Sequence, residues 1–140
     1  MRAALGVPEL PEDEADVLRV EAGVPRYGAE LDDSVIPQEA ALNETHVSFT
    51  KGCYVGQETV ARLHWRGKPN RHLRGLRLSE PVAPGTPLVL GEREVGRLGS
   101  AVVSPRLGPI GLALVRREAQ PGSTVGVGDG VTAEVVELPF

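Results

Sequence analysis

The second half of the chain alternates between short apolar runs and turn residues. Sets such as Pro84–Gly85, Pro121–Gly122 and Gly128–Asp129–Gly130 separate runs that have the composition of β-strands. The spacing predicts six strands over residues 73–78, 87–90, 95–103, 110–117, 123–127 and 131–138. A series of short strands like this one is typical of a small barrel or sandwich.

One of these runs is apolar at every position. Ile110, Leu112 and Leu114 alternate with Gly111, Ala113 and Val115, so neither face of the strand is polar. A strand with two apolar faces has to be covered on both sides. We therefore expect this strand to be central in the fold or to lie under another layer.

The first half of the chain has a different pattern, which predicts helices and loops. Residues 10–22 have apolar side chains at helical spacing, acidic residues at the start, and Gly23 and Pro25 after the end. Residues 57–65 form a second predicted helix, with Ala61 and Trp65 four positions apart. The region between them is predicted as a packed loop with short strands over 27–43 and a β-prone run over 46–49.

Composition limits the classes of protein to consider. The chain has 140 residues, enough for one domain or one domain with an appendage. It has no apolar run of about 18 residues, so no membrane-spanning segment is expected. The only cysteine is Cys53, which excludes a disulfide framework and suits a reducing compartment. The first ten residues match neither a secretory signal nor a transit peptide, and we expect a cytoplasmic protein.

Charge is distributed unevenly. The net charge is −8 over residues 1–58, +6 over residues 59–79 and −2 over residues 80–140. The basic block 59–79 contains no acidic residue and could bind anions. Alternatively, it is a solvated helix face that runs into a protected edge strand. The isoelectric point of about 5.4 disfavours nucleic acid as a partner.

The segment Lys51–Glu58, with the sequence KGCYVGQE, is the strongest candidate for chemistry. It places Cys53 two residues from Lys51 and just before the second predicted helix. The positive charge of the lysine and the positive end of the helix dipole both favour a thiolate. Gly52 and Gly56 allow the backbone to approach a ligand closely. The alternative interpretation is a buried, inert cysteine. A metal site is not predicted, since the three histidines share no ligand spacing.

This octapeptide resembles the signature of the YgfZ-type folate-binding proteins, which are related to the T-protein (aminomethyltransferase) of the glycine cleavage system. Residues 18–28, with the sequence LRVEAGVPRYG, resemble a segment that contributes to the folate pocket in both families. Residues 36–40 and 60–63 are also similar to YgfZ-type chains. The resemblance covers most of the sequence.

The resemblance implies a fold of the α+β class with two parts. Residues 1–70 would be part of a folate-binding domain, and residues 71–140 a six-stranded antiparallel Greek-key β-barrel at the C-terminal end. It also implies tetrahydrofolate as the cofactor. Glu21 would accept paired hydrogen bonds from the pterin ring, the alternative being a solvated residue at the end of the helix. Arg26 would meet a folate carboxylate or remain solvated, and Tyr27 would stack on the pterin or pack the loop. Within the octapeptide, Tyr54, Gln57 and Glu58 are further candidates for cofactor binding.

The function implied is an accessory role in assembly or repair of iron–sulfur enzymes, with Cys53 as the functional thiol and Lys51 as its activator. Such a protein is a helper more than an enzyme, and its partners would be folate and iron–sulfur client proteins. Proteins of this family are pictured as a ring of domains around a folate channel, and in aminomethyltransferases the region before the segment seen here supplies the catalytic aspartate. The resemblance therefore implies either a truncated or separately encoded C-terminal portion, or a ring that a separate N-terminal chain or a second copy completes. Two alternatives remain: an aminomethyltransferase fragment, and a non-catalytic structural or docking domain.

Overall fold

Three helices and an antiparallel sheet make up the fold in a computed structural model that describes residues 6–140. The helices are α1 (Glu12–Glu21), α2 (Asn43–His46) and α3 (Gln57–Arg66). Both longer helices follow the sequence-based expectation closely. No helix among the described residues has the length and apolar character needed to cross a bilayer.

Six strands follow the helices and close into a barrel with the order β1-β4-β3-β2-β5-β6. Their bounds are β1 (Arg71–Leu78), β2 (Pro87–Leu90), β3 (Arg93–Ser104), β4 (Gly108–Arg116), β5 (Thr124–Val127) and β6 (Thr132–Val136). Strands β2, β3 and β4 pair in sequence, and β5 returns to pair with β2, which is a Greek-key connection. The prediction of a six-stranded Greek-key barrel is confirmed.

The interior of the barrel is filled by apolar side chains that alternate with outward-facing positions along each strand. This barrel core consists of Leu76, Leu78, Leu88, Val95, Leu98, Ala113, Val115, Ala119, Val125, Val127, Ala133 and Val135. No charged residue belongs to it. Burial of these side chains is the main favourable contribution to the stability of the C-terminal half.

A second apolar cluster joins α1 to the outside of the barrel. Val20 of α1 packs on Leu73 of β1 and on Ile110 and Leu112 of β4. Ile110 and Leu112 of β4 therefore face α1, while Ala113 and Val115 point into the barrel. This arrangement confirms that the doubly apolar strand lies under another layer, and it fixes α1 against the sheet.

The β-prone run at residues 46–49 does not form a strand. Residues 43–46 form α2, and Phe49 instead stacks on His64 of α3, with ring centroids 4.0 Å apart. Because the barrel is closed, it offers no free edge that such a run could join. The predicted short strands in residues 27–43 are reduced to a single bridge between Tyr27 and Leu31.

Candidate functional site

The junction between α1 and the barrel is held by Arg19. Its guanidinium donates to Asp16 Oδ1 at 2.8 Å, to the carbonyl oxygen of Val24 at 2.7 Å and to Ser100 Oγ at 2.7 Å. The side chain thereby connects α1, the loop that follows it and strand β3. The sequence analysis did not identify Arg19, because a partner 81 positions away leaves no signal in local spacing.

Glu30 is the most deeply buried acidic side chain at this junction. Its Oε2 accepts a hydrogen bond from the backbone N–H of Arg26 at 3.0 Å and lies 3.7 Å from Arg19 Nη1. Its Oε1 has no hydrogen-bond partner within residues 6–140. A Cβ atom at Gly99 would lie only 2.7 Å from that oxygen, so glycine at this β3 bulge allows the carboxylate to approach the strand.

Glu21, the last residue of α1, is also bound by the barrel. Ser104 Oγ donates to Glu21 Oε1, and Arg106 Nη2 donates to Oε2 at 3.0 Å. These contacts lower the pKa of Glu21 below its ordinary value, with the Ser104 hydrogen bond as the largest cause. The carboxylate is thus held ionised at the end of the helix by two residues that sequence reasoning did not connect to it.

An open cleft of about 850 Å³ lies beside Glu21. We call it the α1 cleft; it is formed by α1, the end of β3 and the turn after it, and its lining residues are Leu10, Asp13, Glu14, Asp16, Val17, Leu18, Glu21, Ala101, Val102, Val103, Pro105 and Arg106. The volume is within the range of small-molecule sites. Of the residues expected to bind a cofactor, only Glu21 lines it.

The lowered pKa of Glu21 predicts a loss of stability in acid. Because the folded-state pKa lies below the ordinary value of 4.5, the contacts with Ser104 and Arg106 contribute fully above that pH and are lost as the pH falls through the folded pKa. We expect the free energy of unfolding to fall as the pH is lowered below about 4.5. Urea titrations of the wild type and Glu21→Gln across this range check it: the variant should lose less stability in acid, and parallel pH profiles would contradict the assignment.

Arg26 and Tyr27 lie in the loop after α1. Arg26 Nη1 pairs with Asp16 Oδ1 at 3.0 Å, and its side chain is half exposed. The hydroxyl of Tyr27 donates to Asp33 Oδ1 at 2.7 Å, and this hydrogen bond raises the pKa of the tyrosine. The ring itself is mostly exposed and is accessible for stacking.

The octapeptide forms an exposed loop that leads into α3. Cys53 is a free, exposed thiol, so the alternative that it is buried is wrong. Gly56 has φ 85° immediately before α3, a conformation that favours glycine. Gln57 is the half-buried first residue of the helix, and Glu58 is exposed.

Lys51 has an aromatic neighbour in this loop. Its Nζ lies 5.1 Å from the centroid of the Tyr54 ring, within the range of a cation–π contact. The ammonium group is therefore positioned by Tyr54, one residue after Cys53.

The α1 cleft is not lined by Cys53, so the described chain does not place the thiol and Glu21 in the same cleft.

The basic block 59–79 divides into two parts in the structure. Arg71 donates to both carboxylate oxygens of Glu39, at 3.0 and 2.8 Å, and this pairing raises the pKa of Arg71. Arg62 and Arg66 on α3 are exposed and form no ion pair in the described part of the chain. Arg71 is thus engaged within the chain, whereas Arg62 and Arg66 remain available to an external anion.

The residues around Glu21 are chemically suited to a folate ring. A carboxylate can accept about four hydrogen bonds, and Glu21 accepts one at each oxygen from within the chain, so acceptor capacity remains for an amino group and a ring N–H. Tetrahydrofolate would supply the one-carbon carrier, while Glu21 would hold its pterin ring.

No group of acidic, histidine or cysteine side chains that could hold a metal ion occurs among residues 6–140.

Comparison with known proteins identifies the barrel. Residues 71–140 match the model of the glycine cleavage T-protein C-terminal barrel domain. An aminomethyltransferase of Streptomyces avermitilis is 42% identical over 137 residues, which cover 89% of this chain and 36% of that protein. A putative chloroplastic transferase of Arabidopsis thaliana is 36% identical over 125 residues, covering 88% of this chain and 29% of that protein.

A solved structure agrees with these matches. The crystal structure of the glycine cleavage system aminomethyltransferase T from Bartonella henselae superposes with a TM-score of 0.79 at 26% identity, over 89% of this chain and 37% of that one. The matches thus extend beyond the barrel into the helical part. The chain spans about a third of the length of the curated relatives it matches. It belongs to the family of the glycine cleavage T-protein C-terminal barrel domain.

Proposed function

We propose that this protein binds tetrahydrofolate and acts as a YgfZ-type accessory protein in the assembly or repair of iron–sulfur enzymes, with Cys53 as its functional thiol. The observation that carries the proposal is the exposed thiol of Cys53 in the KGCYVGQE loop directly before α3. An exposed thiol can reach a client protein or a small molecule, whereas a thiol enclosed in the core cannot. The barrel places the protein in a family whose relatives include aminomethyltransferases.

The proposed folate site is the part of the α1 cleft next to Glu21. The carboxylate is held ionised by Ser104 and Arg106, and an ionised carboxylate is the stronger acceptor for the pterin's amino group and ring nitrogen. Other apolar residues that line the cleft, such as Val17 and Val102, would cover the faces of the ring. Arg26 and Tyr27 lie in the loop that follows α1 and would contact the remainder of the cofactor.

Within the octapeptide, each residue has a distinct proposed role. Cys53 provides the nucleophilic sulfur, and Lys51, held over Tyr54, provides a positive charge near it. Gln57 and Glu58 begin α3 and do not line the α1 cleft, so they would contact only a part of the cofactor that extends beyond the cleft. We propose that the domain boundary lies near residue 70, with the folate-binding part before it and the barrel after it.

A second candidate function is aminomethyl transfer. It is favoured by the sequence similarity to proteins that are aminomethyltransferases. The Streptomyces avermitilis protein is an aminomethyltransferase, but the chain covers only 36% of its length. The two functions are separated by adding aminomethylated carrier protein and tetrahydrofolate and measuring released ammonia. Turnover would establish the transferase function, whereas the accessory function predicts none.

Isothermal titration with tetrahydrofolate tests the proposed site. We expect saturable binding that Glu21→Gln weakens about tenfold, because the neutral amide accepts weaker hydrogen bonds than the carboxylate. Glu94→Gln is the matched control, since Glu94 pairs with Arg97 on β3 and does not line the α1 cleft. Absence of heat at any reachable concentration, or equal losses in both variants, would contradict the site.

A further inference from the structure

The α1 cleft also exposes apolar side chains other than those proposed to cover the folate ring. Leu10, Leu18 and Val103 line it, and each side chain is 52–57% exposed. Contiguous apolar side chains that remain open to water are typical of surfaces that bind another protein.

The cleft is acidic along the start of α1. Asp13 and Glu14 line it, and both side chains are exposed. Neither forms an ion pair with a residue in the 6–140 range. A partner that combines apolar and basic side chains would therefore match the cleft in both chemistry and charge.

One surface of the same chain has that chemistry. On α3, Trp65 is 73% exposed, Arg62 lies three residues before it and Arg66 follows it. Residues three or four apart are neighbours on a helix, so Arg62 lies beside both the indole ring and Arg66. Within the described chain, neither arginine has an acidic partner. Tryptophan and arginine are the residues most enriched among the energetically dominant contacts of protein interfaces.

We propose that α3 of one copy docks in the α1 cleft of a second copy. Trp65 packs against Leu10, Leu18 and Val103, and Arg62 and Arg66 approach Asp13 and Glu14. The net charges of +6 for residues 59–79 and −8 for residues 1–58 favour this pairing of unlike surfaces over contacts between like ones. Because the contact joins two different surfaces, it generates a closed ring or an open chain of copies. It gives a dimer only if each copy docks its α3 in the α1 cleft of the other.

Fluorescence and mass together test the proposal, because Trp65 is the only tryptophan. As the protein concentration rises, we expect the emission maximum to shift to shorter wavelength while light scattering reports a mass above the 14.9 kDa of one chain. A mass of one chain at all concentrations, with unchanged emission, would overturn the proposal. So would self-association that leaves the emission unchanged.

Variants locate the contact. Leu18→Lys should weaken self-association about tenfold or more, whereas Val24→Lys, at a similarly exposed position outside the cleft, should not. The pair Asp13→Lys with Glu14→Lys, and the pair Arg62→Glu with Arg66→Glu, should each abolish it. An equal mixture of these two double variants should associate again, since the first keeps the native α3 and the second keeps the native α1 cleft. Failure of the mixture to associate, or association of Leu18→Lys at wild-type strength, would overturn the proposal.

Discussion

Replacing Arg19 with alanine should lower the free energy of unfolding by about 3–5 kcal/mol. The guanidinium makes hydrogen bonds to Asp16, Val24 and Ser100, and it is the cation nearest to the buried carboxylate of Glu30. Its removal leaves that carboxylate enclosed without a compensating charge, which costs more than the lost hydrogen bonds alone. Since domains of this size are stable by about 5–15 kcal/mol, the variant should lose a large fraction of its stability.

Urea unfolding of Arg19→Ala and of Arg97→Ala measures this effect against a matched control. Arg97 also forms an ion pair, with Glu94 at 3.1 Å, but both side chains are at least half exposed. Such a pair contributes about 1 kcal/mol or less. Equal losses in the two variants would show that the junction of α1 with the barrel does not depend on Arg19.

The strands of the barrel could be predicted because their signal is local. Turn residues such as Gly85, Gly122 and Gly128 have positive φ and interrupt apolar runs at regular spacing, so the six strands were recognisable to within a few residues. The two apolar faces of β4 also indicated a covering layer. That the layer is α1 could not be read from the pattern, since Val20 meets Ile110 and Leu112 only in the folded chain.

The polar contacts of the site were not predictable in the same way. Glu21 was identified through a family resemblance, but its partners Ser104 and Arg106 are more than 80 positions away. Arg19 was missed for the same reason, since its partner Ser100 is 81 positions away. Hydrogen bonds between distant segments depend on how α1 is placed on β3, and no periodicity encodes that placement.

The short run at residues 46–49 shows the limit of strand propensity. Its composition predicts a strand, yet a strand needs a neighbour with free hydrogen-bonding groups. The barrel closes on itself, and Phe49 finds its partner in His64 instead. Local composition was therefore overridden by the absence of an available edge.

Cys53→Ser should leave folding unchanged and abolish the proposed function. The thiol is exposed and belongs to neither apolar cluster, so the free energy of unfolding should change by no more than about 0.5 kcal/mol. Serine keeps the size of the side chain, but its hydroxyl is a far weaker nucleophile than a thiolate at neutral pH. A loss of function in this variant would thus report the chemistry of the sulfur and not a structural defect.

Val55→Ser is the matched control for that experiment. Val55 lies two residues after Cys53 in the same loop, and its side chain is fully exposed. The substitution introduces the same hydroxyl group without removing the thiol. If the loop acts through its shape, Val55→Ser should be impaired at least as much as Cys53→Ser; if it acts through the sulfur, only Cys53→Ser should be impaired.

The most direct measurement is rescue of iron–sulfur enzyme activity in cells that lack this protein, by the wild type, Cys53→Ser and Val55→Ser expressed at equal levels. We expect the wild type and Val55→Ser to restore activity and Cys53→Ser to restore none. Full rescue by Cys53→Ser would contradict the account, because it would remove the thiol from the mechanism.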